Sequence, residues 1–421
     1  MNLFRLVHFR SYQHFRHSFT ALSSFLLAVA VSCCNASPSD TSRIAEKWVG
    51  TWGTAEQLVE PGNMPPQLGL TDNTLRQIVC VSIGGNRLRV RFSNEFSTSP
   101  VTLDTVHIAF SVGGSAIDPA TDKALLFDGN PEVTIGTGTA VTSDPFDFAL
   151  KPRADVAITI HFGKTSTDLT GHPGSRTTSY ILPGNQVSSV NFSGAVQTDH
   201  WYIINGIDVM APESAAAVVV LGNSITDGRG SGTNKQDRWP DKLAIRLQEN
   251  PDTKQVAVLN MGIGGNCVLR NCLGPAALSR FDRDVIAQSG VRWLIILEGI
   301  NDIGQARGAE GSTAVAKNLI AAYEQMIDTA RAKGIRVYGA TMTPFGGSFY
   351  DSPDHQAAWK QVNEWIRTSG RFDAVIDFDT AMRDPANPSR LLSAYDSGDH
   401  LHPSEAGHKA MGDAVDLKFF K

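Results

Sequence analysis

Four short polar or glycine-rich segments hold the residues of this 421-residue chain whose types and spacing suit chemistry. They are Gly222-Asn223-Ser224-Ile225-Thr226-Asp227-Gly228, Gly262-Ile263-Gly264-Gly265-Asn266, Gly299-Ile300-Asn301-Asp302 and Asp399-His400-Leu401-His402-Pro403. A serine hydroxyl such as that of Ser224 is a weak nucleophile until a neighbouring base takes its proton. His402 can be that base. Asp399, three residues earlier, can fix the imidazole tautomer and stabilise the imidazolium. Each segment alone has a plainer explanation: Ser224 as a helix cap, Gly264-Gly265 as a permissive turn, and Asn301-Asp302 and His402-Pro403 as turn or surface-loop residues. The chemistry requires that the four meet.

The elements around them suggest how they would. From residue 211 onward, apolar strand candidates at 216–221, 256–260, 293–297, 337–341 and 375–378 alternate with helix candidates. The clearest helix places Val315, Leu319, Ala322, Tyr323, Met326, Ile327 and Ala330 on one stripe of 3–4 spacing; others are expected near 240–249, 275–287, 356–367 and 404–415. Such alternation gives a parallel sheet covered by helices on both faces. Ligands bind beyond the carboxyl ends of its strands. The four segments follow the first, second, third and fifth strands, so they converge on one rim. From about Lys47 to Met210 the pattern is different: short apolar or alternating runs such as Leu88-Arg89-Val90-Arg91-Phe92 are punctuated by Gly, Pro, Asn and Asp, as in an antiparallel sandwich or jelly-roll.

In this order the four segments resemble the blocks of the SGNH (GDSL-type) hydrolases. The first block, normally Gly-Asp-Ser, reads Gly222-Asn223-Ser224; the glycine block reads Gly264-Gly265-Asn266; Gly-x-Asn-Asp and Asp-x-x-His follow at 299–302 and 399–402. The resemblance covers residues 216–421 and departs at Asn223, which is not the nucleophile. It implies a three-layer, flavodoxin-like α/β fold and an ester hydrolase with Ser224, Asp399 and His402 as catalytic residues. It also implies an oxyanion hole made by the backbone N–H groups of Ser224 and Gly265 and the side chain of Asn301. A helix starting after Ser224 would add its N-terminal dipole. The chain has no G-x-S-x-G nucleophile elbow, no P-loop and no G-x-G-x-x-G opening a helix after a strand.

A chain of this length exceeds the roughly 250–300 residues of one ordinary core. Two folded units are therefore expected, an all-β domain at 44–210 and the hydrolase domain at 215–421. Residues 1–37 read as a signal peptide: Arg5, Arg10 and Arg16 are their only formal charges, and an apolar run from Ala21 to Val31 follows, too short for an ordinary span of about 20 residues. Secretion or a periplasmic location is expected, with lipid attachment through Cys33 or Cys34 as the weaker alternative. Removing this segment moves the formal net charge from −5 to −8, with 34 basic against 42 acidic residues. That balance argues against a nucleic-acid partner. In an oxidising compartment Cys267 and Cys272 can pair, whereas Cys80 sits in an apolar run and reads as a core residue. No ligand spacing for zinc is present, so neither metal nor other cofactor is expected.

Two other readings compete with hydrolysis: an acyltransferase using the same acyl-enzyme, and a carbohydrate-binding protein whose α/β half has lapsed. The retained Ser224, Asn301, Asp399 and His402 speak against the second. Trp48, Trp52, Trp201 and Tyr202 could stack sugars, but aromatic residues in β domains are more often core. The polar, glycine-rich stretch 226–234 beside Ser224 suggests short acyl groups on a hydroxylated alcohol, served by its amides and the Asp227 carboxylate. Apolar acyl binding depends on buried area at about 25 cal/mol per Å².

Overall fold

The strands at Ala216–Gly222, Val256–Gly262, Val291–Leu297, Arg336–Ala340 and Ala374–Ile376 pair in parallel in the spatial order second, first, third, fourth, fifth. This is the doubly wound, flavodoxin-like order, whose ligand site lies where the winding reverses, beside the first strand. The computed structural model describes residues 45–421; the signal-peptide reading of 1–37, with Cys33 and Cys34, falls outside them.

The strands are buried on both faces, as a parallel sheet requires. Val218, Val220, Val258 and Ile295 point into a cluster with Trp239, Leu243 and Met411. Their neighbours Val219, Leu221, Leu259 and Ile296 point the opposite way, towards Leu319, Ile327 and Trp359. The period of two thus sorts residues between helices Trp239–Glu249 and Glu405–Ala414 on one side and Gly308–Arg331 and Pro353–Thr368 on the other, giving three layers. Two boundaries differ from the sequence pattern. The fifth strand stops at Ile376 because Asp377 caps a new helix, accepting from Thr380 N at 3.1 Å. The segment expected as one helix over 275–287 is an α-turn, Ala277–Phe281, continued by the wider turn Asp282–Ile286.

Residues 46–212 form antiparallel sheets. The two largest share one apolar cluster, Leu88, Val90 and Phe92 from one with Val106, Ile158 and Ile160 from the other, the arrangement of a sandwich. That cluster continues without a break into the α/β half through Val49, Trp52, Leu259 and Met261. Strand Glu46–Gly53 runs on into a parallel bridge, Thr54 to Asn260, at the edge strand of the parallel sheet, and Ser82 Oγ exchanges hydrogen bonds with Val258 N (3.0 Å) and O (2.9 Å). Trp52, Trp201 and Tyr202 are buried in this core, and Trp48 is half-buried under Arg89. Cys80 is mostly buried, and burial pushes its thiol up to about 12. Among the described residues no helix is long and apolar enough to cross a membrane.

Candidate active site

Ser224 stands where the first parallel strand, buried along all seven residues, runs out at Gly222. Asn223 caps the turn that follows: its Oδ1 accepts from Ile225 N at 3.1 Å and its carbonyl from Thr226 N and Asp227 N at 3.0 and 2.8 Å. The helix Ser224–Asp227 is a single turn, closed by Gly228 in the left-handed region at φ 111°. A macrodipole builds from many aligned peptides, so the dipole expected at Ser224 is reduced to the local N–H groups.

The fourth segment meets Ser224 from across the rim. Ser224 Oγ lies 2.8 Å from His402 Nε2, and His402 Nδ1 lies 2.7 Å from Asp399 Oδ2. A carboxylate only accepts, so Nδ1 carries the ring proton and Nε2 is left to accept from the serine hydroxyl. Asp399 is held by its own turn, its Oδ1 accepting from Leu401 N (3.0 Å) and His402 N (2.9 Å). Burial opposes its charge, but the hydrogen bonds from His402 and Leu401 prevail and hold the carboxyl at about 2. Burial pushes His402 below the usual histidine range; Asp399 pulls it up, while Arg229 and Arg176 press it down. His402 is therefore neutral and ready to accept a proton at neutral pH.

Asn301, 4 % exposed, donates one Nδ2 hydrogen to Asn266 O at 2.8 Å and accepts at Oδ1 from Tyr350 Oη at 3.1 Å. Those contacts fix which way the amide points and leave its second hydrogen uncommitted. The next residue, Asp302, accepts from Val268 N (2.8 Å) and Leu269 N (3.0 Å), fastening the loop after the second strand to the loop after the third. Buried Arg280 ties the strand ends together, donating to Gly222 O (3.1 Å), Met261 O (2.7 Å) and Asn266 Oδ1 (2.9 Å). Gly265, at φ 67°, is capped by the Leu273 side chain. Leu273 follows the Cys267–Cys272 disulfide and, with Leu58, Phe96 and Pro275, borders a cleft of about 300 Å³.

The β-rich half reaches the same rim. His172 donates from Nδ1 to Ala55 O at 2.7 Å and places Nε2 2.9 Å from Asp227 Oδ1, while Arg176 Nη2 lies 3.8 Å from Oδ2. The loop can pass this close because residue 174 is glycine: a Cβ there would collide with the Asp227 carboxylate. The structure thus corrects the expectation for 226–234. Asp227 is 2 % exposed and paired with His172, so it is not offered to a substrate. Amides of the same stretch are also spent, Gly232 N on Asp237 (2.9 Å) and Asn234 N on Arg176 O (2.9 Å). Beneath the site, burial pushes Glu298 up to about 8, against the pull of Arg280, whose Nη2 lies 3.5 Å away.

Ser224, His402 and Asp399 therefore meet in one hydrogen-bonded chain, and Asn301 is joined to the glycine block through Asn266. Cys267 and Cys272 are bonded. Among the described residues no group of His, Cys, Asp and Glu could hold a metal ion. Sequence reasoning passed over Tyr350, Arg280 and the His172–Asp227 pair. The first had a signal: it follows the fourth parallel strand, whose carboxyl end lies on the same rim but carries none of the four segments. Arg280 and His172 had none, since their partners are distant in sequence.

Residues 220–410 match the GDSL-like Lipase/Acylhydrolase family. Among solved structures the chain is similar to a G-D-S-L family protein from Desulfitobacterium hafniense (24% identity, 47% of this chain and 97% of that one, TM-score 0.36). It is also similar to a catalytic mutant of an acetylxylan esterase from Geobacillus stearothermophilus (19%, 48% and 93%, 0.36). A third is the aryl esterase of M. smegmatis (16%, 48% and 96%, 0.36). No curated protein matches.

Proposed function

Because residues 220–410 belong to the GDSL-like lipase/acylhydrolase family, and the protein is accordingly a carboxylic ester hydrolase, we propose that it works through an acyl-enzyme on Ser224. The observation that carries this reading is the chain from Ser224 Oγ through His402 to Asp399, at 2.8 and 2.7 Å. Ser224 Oγ attacks the ester carbonyl carbon while its proton passes to His402 Nε2. The carbonyl oxygen becomes an oxyanion, stabilised by the N–H groups of Ser224 and Gly265 and the free hydrogen of Asn301 Nδ2. The C–O bond to the alcohol then breaks, and His402 returns the proton to the leaving oxygen. Water, deprotonated by the same imidazole, cleaves the acyl-enzyme, releasing the carboxylic acid and restoring Ser224.

The acyl group is short, acetyl above all, and the alcohol a carbohydrate. Support comes from polar groups at the rim: Arg176 and Arg229, which act on His402, and the Asn301 amide, held by Asn266 and Tyr350. The enzyme acts outside the cytoplasm, a reading supported by the Cys267–Cys272 bond, since such bonds persist in oxidising compartments. The test is kcat/KM across p-nitrophenyl acetate to palmitate and release of acetate from acetylated glycans, with Ser224→Ala as the blank. Wild-type rates in Ser224→Ala sink the acyl-enzyme; a maximum at long chains sinks the short-acyl reading.

A further inference from the structure

We propose that Phe349 is the platform of a sugar subsite adjoining the Asn301 amide, on which the pyranose ring of the leaving alcohol stacks. The proposal rests on the carbohydrate-ester reading above and names the residue that would recognise the carbohydrate. Phe349 is 74 % exposed, more than any other large apolar side chain among the described residues. An isolated surface apolar residue usually needs no explanation; three observations set this one apart.

The first is position. Phe349 leans against Tyr350, ring centroids 4.4 Å apart, and Tyr350 Oη bonds Asn301 Oδ1. One side chain therefore separates the exposed ring from the amide proposed to meet the oxyanion. The second is rigidity. The Tyr350 ring lies over Gly304, where no side chain intervenes, and His355 Nδ1 grips Tyr350 O at 2.7 Å. The turn itself is laced by Gly347 N to Asp351 Oδ2 (2.7 Å) and Tyr350 N to Ser348 Oγ (3.2 Å). These contacts fix the turn that carries Phe349 and the Tyr350 ring on which it leans, so less of the backbone has to be ordered when a ligand arrives.

The third is openness, which selects the occupant. An acyl chain gains by having its apolar area enclosed, and this ring is open to water. A pyranose presents an apolar C–H face to an aromatic ring while its hydroxyls stay hydrated or find polar side chains. Two such side chains adjoin Tyr350, the ring on which Phe349 leans: Gln305 follows Gly304, on which Tyr350 rests, and Arg270 Nη2 bonds Gln305 Oε1 at 2.7 Å.

The experiment compares wild type, Phe349→Ala, Phe349→Leu and Phe349→Trp on p-nitrophenyl acetate, p-nitrophenyl octanoate and acetylated xylo-oligosaccharides. Phe349→Ala should raise KM for the oligosaccharides about tenfold, equivalent to about 1.4 kcal/mol, and leave p-nitrophenyl acetate within about twofold. Phe349→Leu, apolar but not flat, should behave like Ala, and Phe349→Trp like wild type. Equal KM in all four enzymes overturns the subsite, as does a loss seen chiefly with the octanoate. If wild type cleaves p-nitrophenyl acetate but no acetylated sugar, the subsite and the carbohydrate reading fall while the esterase stands. If it cleaves neither, the acyl-enzyme reading itself falls. Melting temperatures of the variants should match wild type, because the ring is exposed; a large drop would mean Phe349 serves the fold.

Discussion

Replacing Tyr350 by Phe removes one hydroxyl while the ring stays on Gly304, so it probes the hydrogen bond from Tyr350 Oη to Asn301 Oδ1 at 3.1 Å. Such a neutral bond is worth about 0.5–1.5 kcal/mol. If all of it serves to aim Asn301 Nδ2 at the developing oxyanion, kcat falls about 2- to 12-fold. The other anchor, Nδ2 to Asn266 O at 2.8 Å, remains, so the amide loosens without swinging away. Asn301→Ala removes the donor itself and should cost about 10²–10³ in kcat with a smaller change in KM. The assay is steady-state hydrolysis of p-nitrophenyl acetate by both single variants and the double. Because Tyr350 acts through Asn301, its removal should cost nothing more in the Asn301→Ala background. Additive losses, or a Tyr350→Phe effect confined to KM, would refute this positioning role and make the tyrosine a substrate contact in its own right.

Two further outcomes concern protonation. Burial holds His402 below the ordinary imidazole value of about 6.5, so kcat/KM should rise with pH through an acid limb below that value. Asp399→Asn removes the group that raises it and should move the limb lower still while slowing turnover; an acid limb above neutrality contradicts the assignment. Glu298, whose carboxyl is raised from 4.5 to about 8 by burial, keeps a proton in the folded state that the unfolded chain has lost, so it subtracts stability as pH rises across that window. Glu298→Gln should therefore show a smaller fall in melting temperature between those pH values than wild type, and an unchanged slope would show that the carboxyl does not titrate there.

The site was legible where strand ends announce themselves. Ser224 and Asn301 follow apolar strand candidates and His402 precedes a helix with a Ser cap, so strand-helix alternation places them on one rim, while their separate roles came from the resemblance of the four ordered segments to the SGNH blocks. The contacts that finish the site were hidden because they join segments far apart in sequence. Arg280 binds Gly222 O, 58 residues away, and His172 binds Asp227, 55 residues away across the two halves. Nothing in the local pattern of either residue marks it. The stretch 226–234 shows the opposite error: its composition is that of an open polar loop, yet folding turns Asp227 inward and engages most of the stretch's amides within the protein. The continuity of the core from Val49 to Leu259 was likewise invisible, since an apolar residue in a strand does not declare which sheet covers it.

The acyl-enzyme on Ser224 can be tested by treating the protein with a fluorophosphonate and mapping the adduct by peptide mass spectrometry. One adduct per chain is expected, on the peptide containing Ser224, forming in step with loss of esterase activity and absent from Ser224→Ala. An adduct on another serine that accompanies inactivation, or an unlabelled Ser224 in fully inactivated protein, would contradict the account.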